Sequence, residues 1–309
     1  MRRAGIVVAA VACVLASVSV MVTARQAAPQ SAAPQPAAPA AAPERPRILG
    51  ISHLALRVSD MAAAKAFYGG ILGLSERPGP AFVIGPRQYV LIEPGLNPQD
   101  IERLTHLAFQ TNDVAAMGKY LTARGLKIDQ PADRCEESAI HVLDPDGHVI
   151  EFVQVDWPPP APKLGAPTAR AVGSRALSTR LLHAGLTIKN QEAADKFYRD
   201  TLGFSEIWRG GRDEKTIDWI NMRVPEGTEY LEYMLMSSAP DRQRLGSAHH
   251  LCLTVPDIQS TFEEATRRTP AAARAKLSVP NVGRNGRWQL NLFDPDGTRT
   301  ELMEPWRIR

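Results

Sequence analysis

Four histidines, His53, His106, His183 and His250, each open a short segment in which apolar residues alternate with small or polar ones. The segments read His53-Leu-Ala-Leu-Arg-Val-Ser-Asp60, His106-Leu-Ala-Phe-Gln-Thr-Asn-Asp113, His183-Ala-Gly-Leu-Thr-Ile-Lys-Asn190 and His250-Leu-Cys-Leu-Thr-Val-Pro-Asp257. Two glutamates recur as regularly, since Glu151 and Glu301 each stand four residues beyond the glycine of Leu143-Asp-Pro-Asp-Gly147 and Phe293-Asp-Pro-Asp-Gly297. Glu232 lies within Glu229-Tyr-Leu-Glu-Tyr-Met-Leu-Met236, and Glu93 ends the shorter run Tyr89-Val-Leu-Ile-Glu93. Imidazole and carboxylate together suit Fe(II), Ni(II), Zn(II) or Mn(II), and an incomplete ligand set leaves positions open for a substrate. A dication held in this way polarises two adjacent substrate oxygens, stabilises an enediolate or activates dioxygen, while a nearby carboxylate moves a proton. One strand histidine alone is more often a hydrogen-bonded core residue; four in a common register point to metal.

Alternation places Leu54, Leu56 and Val58, like Leu251, Leu253 and Val255, on one strand face suited to packing beneath a helix. The histidines fall on the other face, followed by Ala, Gly or Cys and then by Arg57, Gln110, Thr187 or Thr254. That small, polar set predicts a concave, wet surface. The first strand of each half leads into a helical pattern carrying Phe67-Tyr68 or Phe197-Tyr198, then Leu72-Gly73 or Leu202-Gly203 at matching offsets. Asp-Pro-Asp-Gly predicts a tight hairpin turn, with proline presetting one dihedral and glycine accepting a positive one. The chain therefore contains four related units, two in each half.

Length and composition frame these units. A chain of 309 residues, 44% apolar, is long enough for two ordinary domains. A formal net charge of only +3, with no Lys/Arg cluster beyond the N-terminus, excludes nucleic acid as a partner. Arg2 and Arg3 precede an uncharged run from Ala4 to Val22, and Val22-Thr23-Ala24 has the small-residue character of a cleavage site. Residues 1–24 thus read as a signal peptide or membrane anchor, residues 4–23 being the stretch that would do the anchoring, and the protein as exported, periplasmic or extracellular. Residues 25–47 form an Ala/Pro-rich linker, 48–156 a first domain, 157–178 a Pro-rich linker and 179–309 a second domain. Beyond the N-terminal segment only Cys135 and Cys252 remain, read as two small buried thiols.

A His-bearing strand, a helix with Phe-Tyr and Leu-Gly, and further strands ending in a Glu together resemble the vicinal oxygen chelate superfamily of glyoxalases, extradiol dioxygenases, epimerases and bleomycin-resistance proteins. The resemblance covers about residues 48–156 and 179–306. It implies an α+β fold of four βαβββ units forming two such domains, with one divalent metal ion per site, the main site in the second half, and leaves open whether the first half holds metal. Carried over by position, the implied ligands are His53, His106 and Glu151 in the first half and His183, Glu232, His250 and Glu301 in the second. Glu232 and Glu301 are then also the candidate catalytic residues. The order His183, Glu232, His250, Glu301 is similar to that of glyoxalase-type isomerases, and Arg57 stands where bacterial glyoxalases bind the carboxylate of a thiol cofactor. Ring-cleaving dioxygenases use two His and one Glu, matched by His183, His250 and Glu301, but their signature Tyr is replaced by Asn291, and by His141 in the first half. The resemblance therefore implies a metal enzyme acting on a small molecule with neighbouring oxygens, glyoxalase-like lyase or isomerase first and extradiol-type dioxygenase as the alternative. A third alternative is a non-catalytic small-ligand binding protein of the bleomycin-resistance kind, with Trp208, Trp219 and Trp288 available to line its pocket.

Overall fold

The computed structural model describes residues 43–129, 138–155 and 175–308. The N-terminal segment, most of both linkers and Cys135 lie outside the described residues. Among the described residues no helix is long and apolar enough to cross a membrane.

Seven strands build the first sheet: β1 (Ile48–Val58), β2 (Ser75–Arg77), β3 (Ala81–Gly85), β4 (Gln88–Pro94), β5 (Leu104–Thr111), β6 (Ala139–Leu143) and β7 (Val149–Gln154), ordered β2-β3-β4-β1-β5-β7-β6. Eight build the second: β8 (Leu181–Ile188), β9 (Ser205–Gly210), β10 (Trp219–Arg223), β11 (Tyr230–Leu235), β12 (His250–Thr254), β13 (Asn281–Val282), β14 (Trp288–Phe293) and β15 (Arg299–Met303), ordered β13-β14-β15-β12-β8-β11-β10-β9. The first His strand of each half pairs antiparallel with the second, β1 with β5 and β8 with β12. Units one and two therefore share one sheet, and units three and four the other.

The residue that closes each repeated segment starts the following helix. Asp60, Asp113, Asn190 and Asp257 each accept from a backbone N–H two or three residues on. These are N-caps, which satisfy donors a helix start leaves unpaired. The helices are α1 (Met61–Lys65), which widens into a π-helical segment over Ala66–Ile71, α2 (Val114–Thr122), and α3 (Gln191–Ala194), with its own π segment over Asp195–Thr201. After them come α4 (Arg242–Ala248), which leads into β12, and α5 (Ile258–Arg268). Leu54, Leu56, Val58, Leu251, Leu253 and Val255 all lie in one apolar core that is continuous through both halves.

Two motifs that looked local join the halves. Tyr68 of the first π segment donates to Asp294 in the second half's turn at 3.0 Å, and Tyr198 of the second donates to Asp144 in the first half's turn at 2.8 Å. The other oxygen of each aspartate closes its own turn, Asp144 accepting from the N–H groups of Asp146 and His148, and Asp294 from those of Asp296 and Thr298. Gly147 and Gly297 supply the positive φ, 91° and 84°.

Candidate metal centres

Strand pairing lays the second sheet's polar face out in two rows. One row is Glu232, Gly185 and His250 on β11, β8 and β12; the next is Tyr230, His183, Cys252, Glu301 and Asn291, continuing across β15 to β14. Directly paired residues point to the same side of a sheet, so all of these share a face. That face is buried rather than wet, with His183 and His250 both 0% exposed. Several of its polar groups turn toward one another, which offsets part of the cost of removing them from water.

His183 Nε2 lies 3.0 Å from His250 Nε2, 3.3 Å from Glu301 Oε2 and 3.8 Å from Glu232 Oε2, while His250 Nε2 lies 3.4 Å from Glu232 and 3.5 Å from Glu301. An ion about 2.1 Å from each donor would separate neighbouring donors by about 3.0–3.4 Å, so this spacing is that of a ligand shell. The tautomer agrees. His250 Nδ1 donates to the Ala248 carbonyl at 2.8 Å, so a neutral ring presents a bare Nε2 to the cluster. His183 is held by stacking on Tyr230, centroids 4.5 Å apart, and its Nδ1 has no partner among the described residues. Gly185 is required beside these rings, because a Cβ there would come within 2.2 Å of the His250 ring.

Burial, and then the Arg299 charge, push the His250 pKa down to about 3, which keeps the imidazole neutral at ordinary pH. The two carboxylates diverge. Burial raises Glu232, reinforced by Glu301, whereas in Glu301 burial is outweighed by the neighbouring His183 and His250 and by Arg299, leaving it well below the usual range. Between them, Cys252 is free and buried, and burial followed by the charges of Glu301 and Glu232 raises its pKa well above the usual thiol value. It therefore stays a thiol.

A cavity of about 400 Å³ opens onto Glu232 and Glu301. Trp208 and Trp219 line it, as do Asn291, Arg244, Arg284 and Arg299; Trp288 is not part of the wall. Arg299 was not anticipated, although it stands two residues before Glu301 and so on the same strand face. Its Nη2 is 2.8 and 2.9 Å from the two ring nitrogens of His250. The two ring nitrogens point in different directions, so the guanidinium lies against the ring rather than in line with either of them.

The first sheet repeats the two rows with substitutions: Leu91, Ala55 and His106, then Tyr89, His53, Ala108, Glu151 and His141. His53 Nε2 lies 2.9 Å from His106 Nε2 and 3.5 Å from Glu151, and His106 Nε2 lies 3.8 Å from Glu151. Leu91 holds the position of Glu232. Glu93 is two residues further on, opposite Arg57, and stays outside the cluster. Arg57 is itself exposed at the end of β1, away from the second-half cavity, so the geometry gives it no part in a cofactor site there.

A family model for the Glyoxalase/Bleomycin resistance protein/Dioxygenase superfamily matches residues 50–152 and 180–302. Metapyrocatechase 2 of Cupriavidus necator is 27% identical over 248 residues, covering 75% of this chain and 73% of the relative. Among solved structures, a variant of homoprotocatechuate 2,3-dioxygenase from Brevibacterium fuscum superposes with a TM-score of 0.63 at 19% identity, over 87% of this chain and 74% of that one. The same organism's enzyme in complex with 3,4-dihydroxyphenylacetate gives 0.62 at 20%, over 87% and 83%. At that identity the structural likeness is one of fold.

Proposed function

Because the chain belongs to the glyoxalase/bleomycin resistance protein/dioxygenase superfamily, we propose that it is a metal-dependent dioxygenase-type enzyme whose reacting centre is the domain 2 cluster. Its substrate is then a small aromatic molecule with two neighbouring hydroxyl groups. The convergence of His183, His250, Glu232 and Glu301, with Glu232 and Glu301 in the wall of the cavity, carries this reading. The relatives above move the dioxygenase alternative ahead of the glyoxalase-like reading placed first from the sequence.

A divalent metal would supply Lewis acidity toward two adjacent substrate oxygens and, as a redox-active ion, dioxygen activation. The chain's own residues do the rest. His250 offers a neutral nitrogen, His183 a second imidazole beside it, and Glu301 a carboxylate held in its charged form. Glu232, with its raised proton affinity, is a better base for a substrate hydroxyl than an exposed carboxylate would be. Trp208 and Trp219 offer faces to an aromatic ring, and Arg244, Arg284 and Arg299 match an acidic substituent on it.

Glu232 is also the observation that favours the glyoxalase-type reading, as a fourth donor in the order His, Glu, His, Glu. Oxygen uptake separates the two. Protein loaded with Fe(II) is expected to consume dioxygen with 3,4-dihydroxyphenylacetate and to leave hemithioacetals unchanged. Hemithioacetal turnover without oxygen uptake would reverse the assignment, and saturable binding without either would favour a binding protein.

A further inference from the structure

We infer that Glu102 and Arg103, adjacent residues of domain 1, are positioning residues for the domain 2 site, because they hold α4 and the start of β12 in the place that aims His250. This rests on the proposed reading of that site as the reacting centre. Helix α4 is part of the cavity wall, lined there by Arg244, Ser247 and Ala248, and its end sets His250, whose Nδ1 donates to the Ala248 carbonyl at 2.8 Å. A ring aimed by a backbone carbonyl keeps its direction only as well as that backbone is held.

Domain 1 reaches both ends of the helix. At the end next to β12, His249 is 2% exposed; its Nδ1 donates to Glu102 Oε1 at 2.9 Å and its Nε2 meets Thr187 Oγ1 at 2.9 Å. Thr187 stands two residues beyond Gly185, the strand partner of His250, so the His249 ring joins β8, β12 and the first half at one point. At the other end, Arg103, 3% exposed, donates to the Arg242 carbonyl through Nη1 and to the Asp296 carbonyl through Nε and Nη2, at 3.1 and 2.6 Å. Asp296 lies in the turn before β15, the strand that carries Glu301. Arg242 in turn donates to the carbonyls of domain 1 residues Asn97, Pro98 and Asp100. The seat is close, since a Cβ on Gly246 would come within 2.5 Å of the Gly297 carbonyl oxygen and 3.0 Å of Arg103 Nη1.

The first half is built differently at the matching point. Thr105 precedes His106 as His249 precedes His250, but its hydroxyl donates within its own sheet, to the Ala55 carbonyl at 3.2 Å. The bridge from one half into the other's site is therefore specific to domain 2, and its failure is expected to show in the chemistry before it shows in the fold.

The test reads turnover and ligand arrangement separately. Full-length protein is stripped with a chelator and reloaded with Fe(II) for kinetics on 3,4-dihydroxyphenylacetate, or with Co(II) for visible absorption, which reports how the donors are arranged. Glu102→Ala is expected to shift the Co(II) spectrum and lower kcat about 10- to 100-fold, with KM changing less and the urea midpoint close to that of wild type. Glu102→Gln still accepts from His249 Nδ1 and should recover most of both. Arg103→Lys loses the fork that spans two carbonyls and should act in the same direction as Glu102→Ala. Glu102→Ala combined with His249→Leu should be no worse than His249→Leu alone, because the carboxylate acts through that ring.

Wild-type kcat and spectrum in Glu102→Ala would overturn the inference and leave the proposed function standing, as would equal losses in the Ala and Gln variants. Should Glu102→Ala not fold, His249→Leu decides in its place, wild-type kcat and spectrum there overturning the inference. A shifted spectrum in a protein that turns over neither 3,4-dihydroxyphenylacetate nor hemithioacetals would support the inference and overturn the proposed reaction. Wild type that binds no Co(II) would overturn both.

Discussion

The two domains present the same rows of residues with four exchanges: Glu232 against Leu91, Gly185 against Ala55, Asn291 against His141, and Cys252 against Ala108. Three of these exchanges have a direct physical consequence. Glu232 adds a donor with a raised pKa, and Gly185 lets the His250 ring settle onto the strand beside it. His141 fastens Glu151 from across a hairpin, whereas the Asn291 carbonyl oxygen has no partner among the described residues and the residue faces the cavity. Domain 1 is thus the more fully supported triad, and domain 2 the one with a fourth donor and the Arg- and Trp-lined cavity. One duplicated frame thus carries a carboxylate fastened by a histidine in one copy and an extra carboxylate beside a cavity in the other.

The largest break in this comparison comes from removing domain 2 donors. His250→Ala with Glu301→Ala is expected to abolish turnover while circular dichroism stays native, because the apolar core lies on the opposite strand face. Next is Gly185→Ala, which copies Ala55 of domain 1. The added Cβ displaces the His250 ring, and a shift of about 1 Å lowers kcat/KM about 100-fold, measured by steady-state kinetics. Glu232→Leu copies Leu91 and should weaken the domain 2 metal about 10-fold by competition with a chelating dye, without altering domain 1.

The smallest effect concerns the paired turns. In Asp144 burial raises the pKa but the His148 hydrogen bond and charge outweigh it, so the net shift is downward; Asp294 has Thr298 in the matching place, and burial leaves it raised. Asp144 therefore contributes stability present above its ordinary value of 3.8 and lost as pH falls through its lower folded value. Asp294 behaves oppositely, since the folded state takes up its proton first and stability falls as pH rises from 3.8 through its raised value. Asp144→Asn should cost about 1–3 kcal/mol in urea unfolding at neutral pH, and Asp294→Asn less.

Much of the site could be read from the chain because strand alternation and turn chemistry are local. His53, His106, His183, His250, Glu151 and Glu301 were marked by spacing alone, and each tight Asp-Pro-Asp-Gly turn fixes the hairpin register that puts His141 opposite Glu151 and Asn291 opposite Glu301. Arg299 was within reach of the same alternation argument. Glu93 was not, because pairing between β1 and β4 sets it opposite Arg57, and that register depends on contacts distant in sequence. The Tyr68–Asp294 and Tyr198–Asp144 bonds were equally hidden, each joining residues from different halves. The polar strand face read as wet because its composition is polar, but partners from neighbouring strands bury it.

The most direct test is a crystal of metal-loaded protein measured at the metal's absorption edge. An anomalous peak about 2.0–2.2 Å from His183 Nε2, His250 Nε2 and a Glu301 oxygen, at the wall of the cavity, is the predicted result. Loaded protein with no peak between those residues would contradict the central claim.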